Sequence, residues 1–549
     1  MNDATAIQPD GLILRPLPRP IPFGPGTVAS ILDDCKPKSI ALIDRNGLMT
    51  YEQLNKAVIG AAAVFSSLGL QVGDRVAVSL PNHNGLVAAF IAAQKLGLVW
   101  VGINQVLAVP EKLAQLNDSG ARVLLTDDAI AETIHAATEP PPELEHIVVA
   151  SDDGSAWQTM LASSTGLPIE FPVIDPQAPA VISYTSGTTG TPKGAVHSQH
   201  SIMTFVNSGL SSGRGGSWSP QLRRSVTIPL TILNGMTFGP LVALAGGGSF
   251  VSMDRIDAAG VAEWIERAAI EVLLCTPTTI RDILLKPELQ GHNLASLKFV
   301  AAGGASGSAE LRDIFRERVG SEIVEEYGLT EAPSAVAGSR ADERPHTGSV
   351  GRAYPHVEVA ALGTAGLPLP AGETGELCVR ARSNGRWHGV FTGMLGYWKQ
   401  PEQTRLALRG EWLCTGDMGN VDSAGNIRIV GRQKEMIIRG GANIYPAETE
   451  LALRSLAEIE DAVVIGLPDE RLGQTVAVFI KVKSEVVVDD ALASRLQNGC
   501  RQLIARYKVP ERWFVVGDIP RNAMNKPVRS ELTTMREWEI FPDKSVVER

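Results

Sequence analysis

The sequence predicts a layered α/β fold: a large N-terminal domain of α/β subdomains with a small β subdomain, followed by a C-terminal α+β domain. Three observations predict it. At 549 residues the chain is too long for one core. From Leu48 onward short apolar runs alternate with stretches of helical period, the pattern of largely parallel sheets. After Val357 the texture shifts to short strands separated by Gly and Asp turns, as in GETGELCVR (Gly372 to Arg380) and DSAGNIRIVGR (Asp422 to Arg432).

The elements follow in order. Residues 1 to about 30 are rich in proline and glycine and read as an irregular arm. Thr50 is placed to cap a helix that starts at Tyr51-Glu52, and Gln53 to complete a capping box by reaching back to the Thr50 N–H. That helix carries Leu54, Ala57, Ala61 and Val64 at helical spacing. Arg75 to Leu80 reads as a strand ending in the turn Pro81-Asn82. Gly85 to Ile103 is broken by Gln94-Lys95 and carries three glycines, short of the roughly 20 apolar residues of a membrane span. It reads as a buried helix running into a strand. Arg122 to Thr126, His146 to Ala150, Ser225 to Ile228, Glu271 to Cys275 and Lys298 to Ala301 are further β-type runs. The sequence places the domains at 1–430 and 435–549, with a hinge at 431–434.

Hydrophobic content of 44% and charged content of 20% are those of a soluble globular protein. A net charge of −10 with no basic run argues against nucleic acid and against anionic membrane surfaces. The five cysteines are scattered, none in a CxxC pair, so neither a disulfide framework nor a zinc site is expected. The N-terminus lacks an apolar signal core and the C-terminus is not SKL, so a cytoplasmic location is expected.

The most informative segment is Tyr184 to Gly194, YTSGTTGTPKG, directly after the apolar run Ala178 to Ile182. Three glycines allow close backbone approach to a ligand. The hydroxyls of Thr185, Ser186, Thr188 and Thr189, the backbone N–H groups at Gly187 and Gly190, and the Lys193 charge together suit a polyphosphate. A flexible linker does not need a fixed proline beside a single lysine. The G-x-x-x-x-G-K-[ST] loop fails because Pro192 precedes Lys193 and Gly194 follows it.

This segment resembles the signature of the adenylate-forming enzymes, the superfamily of acyl-CoA synthetases, luciferase-like enzymes and peptide-synthetase adenylation domains. Four more motifs fit in order: YGLTE (Tyr327 to Glu331), TGD (Thr415 to Asp417), GRQKEMIIRGGANIYPAETE (Gly431 to Glu450) and PRNAMNKPVRSEL (Pro520 to Leu532). The resemblance implies ATP, Mg²⁺ and CoA as cofactors and a C-terminal domain that swings about Lys434. It implies that Lys526 bridges the substrate carboxylate and ATP during adenylation. Asn525 stands before it where glycine is usual. It further implies that Tyr327 stacks on adenine against the turn Gly303-Gly304-Ala305. Thr330 would contact the α-phosphate and Glu331 hold Mg²⁺, a hard cation that prefers oxygen. Asp417 and Arg432 would take the ribose, and Gly440-Gly441 leave room for a pantetheine arm.

By the same resemblance the acyl pocket is lined from Pro229 to Phe238, from Gly303-Gly304 and from Ala332-Pro333. Ile232 stands where amino-acid-activating relatives place an aspartate, so an amino-acid substrate is disfavoured. The expected activity is an AMP-forming acyl-CoA synthetase for a hydrophobic fatty or aryl acid, as a monomer or homodimer. The alternatives are a stand-alone ligase that loads a carrier protein, or an inactive nucleotide-binding homologue.

Overall fold

The computed structural model describes residues 7–8, 10–13, 17–137, 139–150, 155–164, 166, 168–185, 192–211, 219, 221–303, 309–340, 348–432, 435–439, 442–469, 471–489, 491–522, 526–535 and 539–540. The chain divides into two compact units. One comprises Met1–Ala360, Cys378–Thr415 and Val421–Arg428; the other Ala361–Leu377, Gly416–Asn420 and Ile429–Arg549.

The larger unit holds a seven-stranded sheet whose order is Gly396–Tyr397, Lys193–Ser198, Pro179–Thr185, Val99–Gly102, Arg75–Ser79, Val123–Thr126, His146–Val149. From Pro179–Thr185 to His146–Val149 the neighbours run parallel, and the other two pairs run antiparallel. The strands are rich in Val, Ile and Leu and buried along most of their length, as parallel strands covered on both faces are. A second, larger sheet runs in parallel from Ile323–Leu329 through Phe299–Gly303, Val272–Cys275, Arg224–Val226 and Phe250–Val251 to Ile40–Asp44.

Helices cover these sheets. Tyr51–Ser67 begins with the expected capping box: Thr50 Oγ1 accepts from the Gln53 N–H, and Gln53 Oε1 accepts from the Thr50 N–H at 2.8 Å. In Asn84–Lys95 every residue from Asn84 to Gln94 is buried, and so is every residue from Gln199 to Gly209 in Gln199–Ser211. Helices apolar or polar-satisfied all round belong inside. Gln94 is held there because its side-chain amide donates to the Ala180 carbonyl at 3.0 Å and its backbone carbonyl accepts from the Gln199 side chain at 2.9 Å. Among the described residues no helix is long and apolar enough to cross a membrane.

The smaller unit carries a sheet in the order Ala442–Ile444, Ile437–Arg439, Gly473–Val482, Arg512–Val515, Glu539–Ile540, with Ile459–Asp469 also paired to Gly473–Val482. The helices Pro446–Arg454 and Leu492–Leu503 contribute Leu453, Leu492 and Leu496 to a core with Ile480 and Trp513. On the opposite face Phe479 and Phe514 stack at 4.5 Å. Both clusters remove apolar area from water at about 25 cal/mol per Å².

Spacing alone did not reveal one cysteine pair. Cys378 and Cys414 lie on neighbouring strands of the larger sheet, with their sulfurs 2.6 Å apart.

Candidate active site

The two ends of the phosphate-loop segment belong to an antiparallel strand pair. Pro179–Thr185 and Lys193–Ser198 pair with Tyr184 opposite Gly194 and Thr185 opposite Lys193. Ser186, Gly187, Thr188, Thr189 and Gly190 lie outside the described residues. At the base, Thr185 Oγ1 donates to the Lys193 carbonyl at 3.4 Å. Gly194 is required by close packing: a Cβ there would sit 2.7 Å from Ile182 Cγ2 and 3.4 Å from Trp398 Cβ. The Tyr184 hydroxyl donates to Asp118 Oδ2 at 2.6 Å, and burial together with that carboxylate raises its pKa far above the usual phenol range. The Lys193 ammonium lies 5.0 Å from the Tyr397 ring centroid and donates to Gln403 Oε1.

Tyr327 belongs to Ile323–Leu329, where the parallel run of the second sheet ends and the antiparallel strand Ser334–Gly338 begins. Ligands of open α/β sheets bind beyond the carboxyl ends of the parallel strands, the end of this strand at which Tyr327 lies. Gly303 closes the neighbouring strand opposite Glu326, and Tyr327 is 7% exposed. Gly304 and Ala305 lie outside the described residues. Thr330 and Glu331 follow the strand, both partly buried. The Glu331 carboxylate accepts from the Tyr397 hydroxyl at 2.6 Å, and its backbone carbonyl accepts from the Met394 N–H at 2.8 Å. Three residues on, Ser334 is buried with φ +153°, a conformation side chains rarely adopt and one that marks a constrained corner.

Lys193 and Glu331, 138 residues apart by their numbers, therefore meet on one aromatic ring. The sequence reading missed Tyr397, Gln403 and Asp118. The only signal is the GYWKQPEQ run, in which Gly396–Tyr397 adds a strand to the hairpin and Pro401–Ala407 starts a helix with proline at its first turn. The Glu331 carboxylate offers a hard oxygen of the kind that Mg²⁺ prefers.

In the smaller unit, Asp417 is 7% exposed at its side chain and its Oδ1 lies 2.9 Å from Nε of Arg432. The two residues expected to share the ribose thus touch each other. Gly416 before Asp417 has φ +73° and donates its N–H to Glu376 Oε1 at 3.2 Å. Lys526 is exposed, next to the bridge Arg521↔Pro527. Its N–H donates to Asn522 Oδ1 at 3.0 Å, and its carbonyl accepts from the Asn522 N–H at 2.9 Å. Lys434, Gly440 and Gly441 lie outside the described residues.

The segment expected to line the acyl pocket forms a helix with one widened turn. Leu233–Met236 passes into a π turn, Thr237–Leu241, and then Val242–Ala245. Pro240 inside that turn has no N–H to continue an α ladder, which accounts for the widening. Phe238 packs against Phe205 at 4.8 Å. A small cavity is lined by Leu230, Thr231 and Met236 from this segment and by Phe90, Trp100 and Ile182.

The chain belongs to the AMP-binding enzyme family. The family model matches residues 33–398, and that of the AMP-binding enzyme C-terminal domain matches residues 448–526. An indoleacetate–CoA ligase of Aromatoleum aromaticum is 29% identical, covering 90% of this chain and 95% of that protein. A feruloyl-CoA synthase of an Amycolatopsis species is 31% identical over 90% and 96% of the two chains. A long-chain-fatty-acid–CoA ligase of Mycobacterium tuberculosis is 31% identical over 88% and 92%. Among solved structures, an anthranilate CoA ligase in complex with anthranoyl-AMP matches with a TM-score of 0.82 at 26% identity, covering 94% of this chain and 97% of that one.

Proposed function

We propose that the chain is an acid–thiol ligase that activates a hydrophobic carboxylic acid with ATP. The acid attacks the α-phosphorus to give acyl-AMP and pyrophosphate. The CoA thiol then attacks the acyl carbon, giving acyl-CoA and releasing AMP. The observation that carries this reading is the meeting of Lys193 and Glu331 at the base of the YTSGTTGTPKG hairpin, in a chain matched by both family domains.

Both reactants of the first step are anions, so the protein must neutralise charge and hold them in line. The hairpin loop and Lys193 take the phosphates; Thr330 contacts the α-phosphate; Tyr327 stacks on adenine beside Gly303-Gly304-Ala305. Asp417 and Arg432 hold the ribose, and Lys526 bridges the acid and the ATP oxygens. Glu331 holds Mg²⁺, which neutralises phosphate charge when bound. Lys434 is the pivot that exchanges Lys526 for the Gly440-Gly441 turn before CoA arrives. The Ile232 side chain offers no partner to an ammonium group, and the relatives named for aryl and fatty acids support an aryl or fatty substrate. The setting is the cytoplasm.

The test is a panel of aryl, alicyclic and fatty acids with ATP, Mg²⁺ and CoA, following the nucleotide product. AMP and pyrophosphate with CoA-dependent turnover are expected. ADP as product sinks the reading, and acyl-AMP that never reaches CoA indicates loading of a separate carrier instead.

A further inference from the structure

Tyr397 stands where the two charged groups of the candidate site meet. Its backbone is held by the sheet, opposite Ala195. Its N–H donates to Thr404 Oγ1 at 2.8 Å, and its carbonyl accepts from the Gln400 N–H at 3.0 Å. Thr404 is fully buried and donates in turn to the Gly11 carbonyl at 2.8 Å. The Glu331 backbone is pinned from the other side by the Met394 N–H. The 2.6 Å contact between the Tyr397 hydroxyl and Glu331 Oε1 therefore joins two fixed backbones, through two torsions on the tyrosine side and three on the glutamate side. The ring is 7% exposed, so the contact is largely shielded from water.

A carboxylate offers two oxygens and about four acceptor directions. With Oε1 engaged by Tyr397, the plane of the Glu331 carboxylate is set and Oε2 is left for a cation. Hydrogen bonds of this kind to a ligating carboxylate typically change metal affinity by about 10- to 100-fold. The same ring carries the Lys193 ammonium on its face at 5.0 Å, so one side chain sets both the cation's ligand and the phosphate's lysine.

We propose that Tyr397 is a positioning residue of the nucleotide–metal site. Its hydroxyl orients Glu331 for a divalent cation, and its ring holds Lys193 beside the hairpin. The inference rests on the functional reading above but concerns binding, so it can be tested without an acid or turnover.

The test is calorimetric titration of the full chain with ATP, with and without Mg²⁺. In the wild type Mg²⁺ should tighten ATP binding. Tyr397→Phe keeps the ring and loses the hydroxyl. It should raise the Mg²⁺ needed for half-saturation about 10-fold or more while leaving Mg²⁺-free ATP binding within about twofold of wild type, since the ring face still holds Lys193. In a Glu331→Gln background the Tyr397→Phe change should add nothing to the Mg²⁺ dependence. Equal Mg²⁺ dependence in Tyr397→Phe and wild type overturns the inference. So does an equal loss with and without Mg²⁺, because the tyrosine would then act only through folding. A wild type that binds no ATP overturns the functional reading itself.

Discussion

Of the four buried histidines among the described residues of the larger unit, His356 and His197 are held furthest from charge, and they tie its stability to pH. His356 is fully buried, accepts or donates with Ser208 Oγ at 2.7 Å through Nδ1, and is ringed by Phe205, Trp387 and Phe391. Burial, and then the charge of Arg382, push its pKa down to about 3. His197, behind the hairpin, is also pushed to about 3 by burial. Between about pH 6.5 and 3 the unfolded chain carries protons on these rings and the folded chain does not. Stability from them is therefore fully present above the unfolded pKa and falls as the pH drops, by roughly 1.4 kcal/mol per pH unit for each ring. His356→Gln should weaken this dependence by one ring's share. Urea unfolding at pH 7.5 and 5.5 measures it; parallel losses in variant and wild type would mean that His356 takes up its proton in the folded state.

At the scale of elements, local patterns were readable and distant meetings were not. The Thr50 capping box, the strand at Arg75–Ser79 and the helix-to-strand passage at Asn84–Gly102 depend on neighbours within a few residues, and all were written in the sequence. Tyr397 on Glu331, Asp118 on Tyr184 and Cys378 beside Cys414 are separated by 66, 66 and 36 residues. Only strand order joins them, and no spacing rule encodes that order. The acid is hidden for a related reason, because it depends on the shape of a pocket assembled from several segments. The hairpin shows how a motif glycine serves packing as well as ligand approach. Gly194→Ala would set a methyl 2.7 Å from the branched Ile182 Cγ2 and 3.3 Å from the Tyr184 ring, both held in place by the sheet. Overpacking of this kind costs about 1–3 kcal/mol. Because Tyr184 and Lys193 flank the site, ATP binding should weaken along with thermal stability. A stable variant with unchanged ATP affinity would show that the hairpin base can shift without moving the loop.

At the scale of the whole molecule, the reaction asks for two chemistries from one chain. Adenylation needs a lysine against two anions, and thioester formation needs open space for a thiol. Lys526 and Gly440-Gly441 both lie in the C-terminal part of the sequence, after Gly431-Arg432, so a single pivot could exchange them. Hinges are a few residues that absorb a large backbone change. Lys434 stands at that point, where the strand Asn426–Arg432 has just ended. Lys434→Pro fixes φ near −65°. The expected outcome is acyl-AMP formation that persists in a single turnover while acyl transfer to CoA from supplied acyl-AMP falls. Both half-reactions are measured on the same preparation, beside its melting temperature. Wild-type rates in both steps would remove Lys434 as the pivot. Loss of both without a change in melting temperature would place Lys434 in the adenylation site instead.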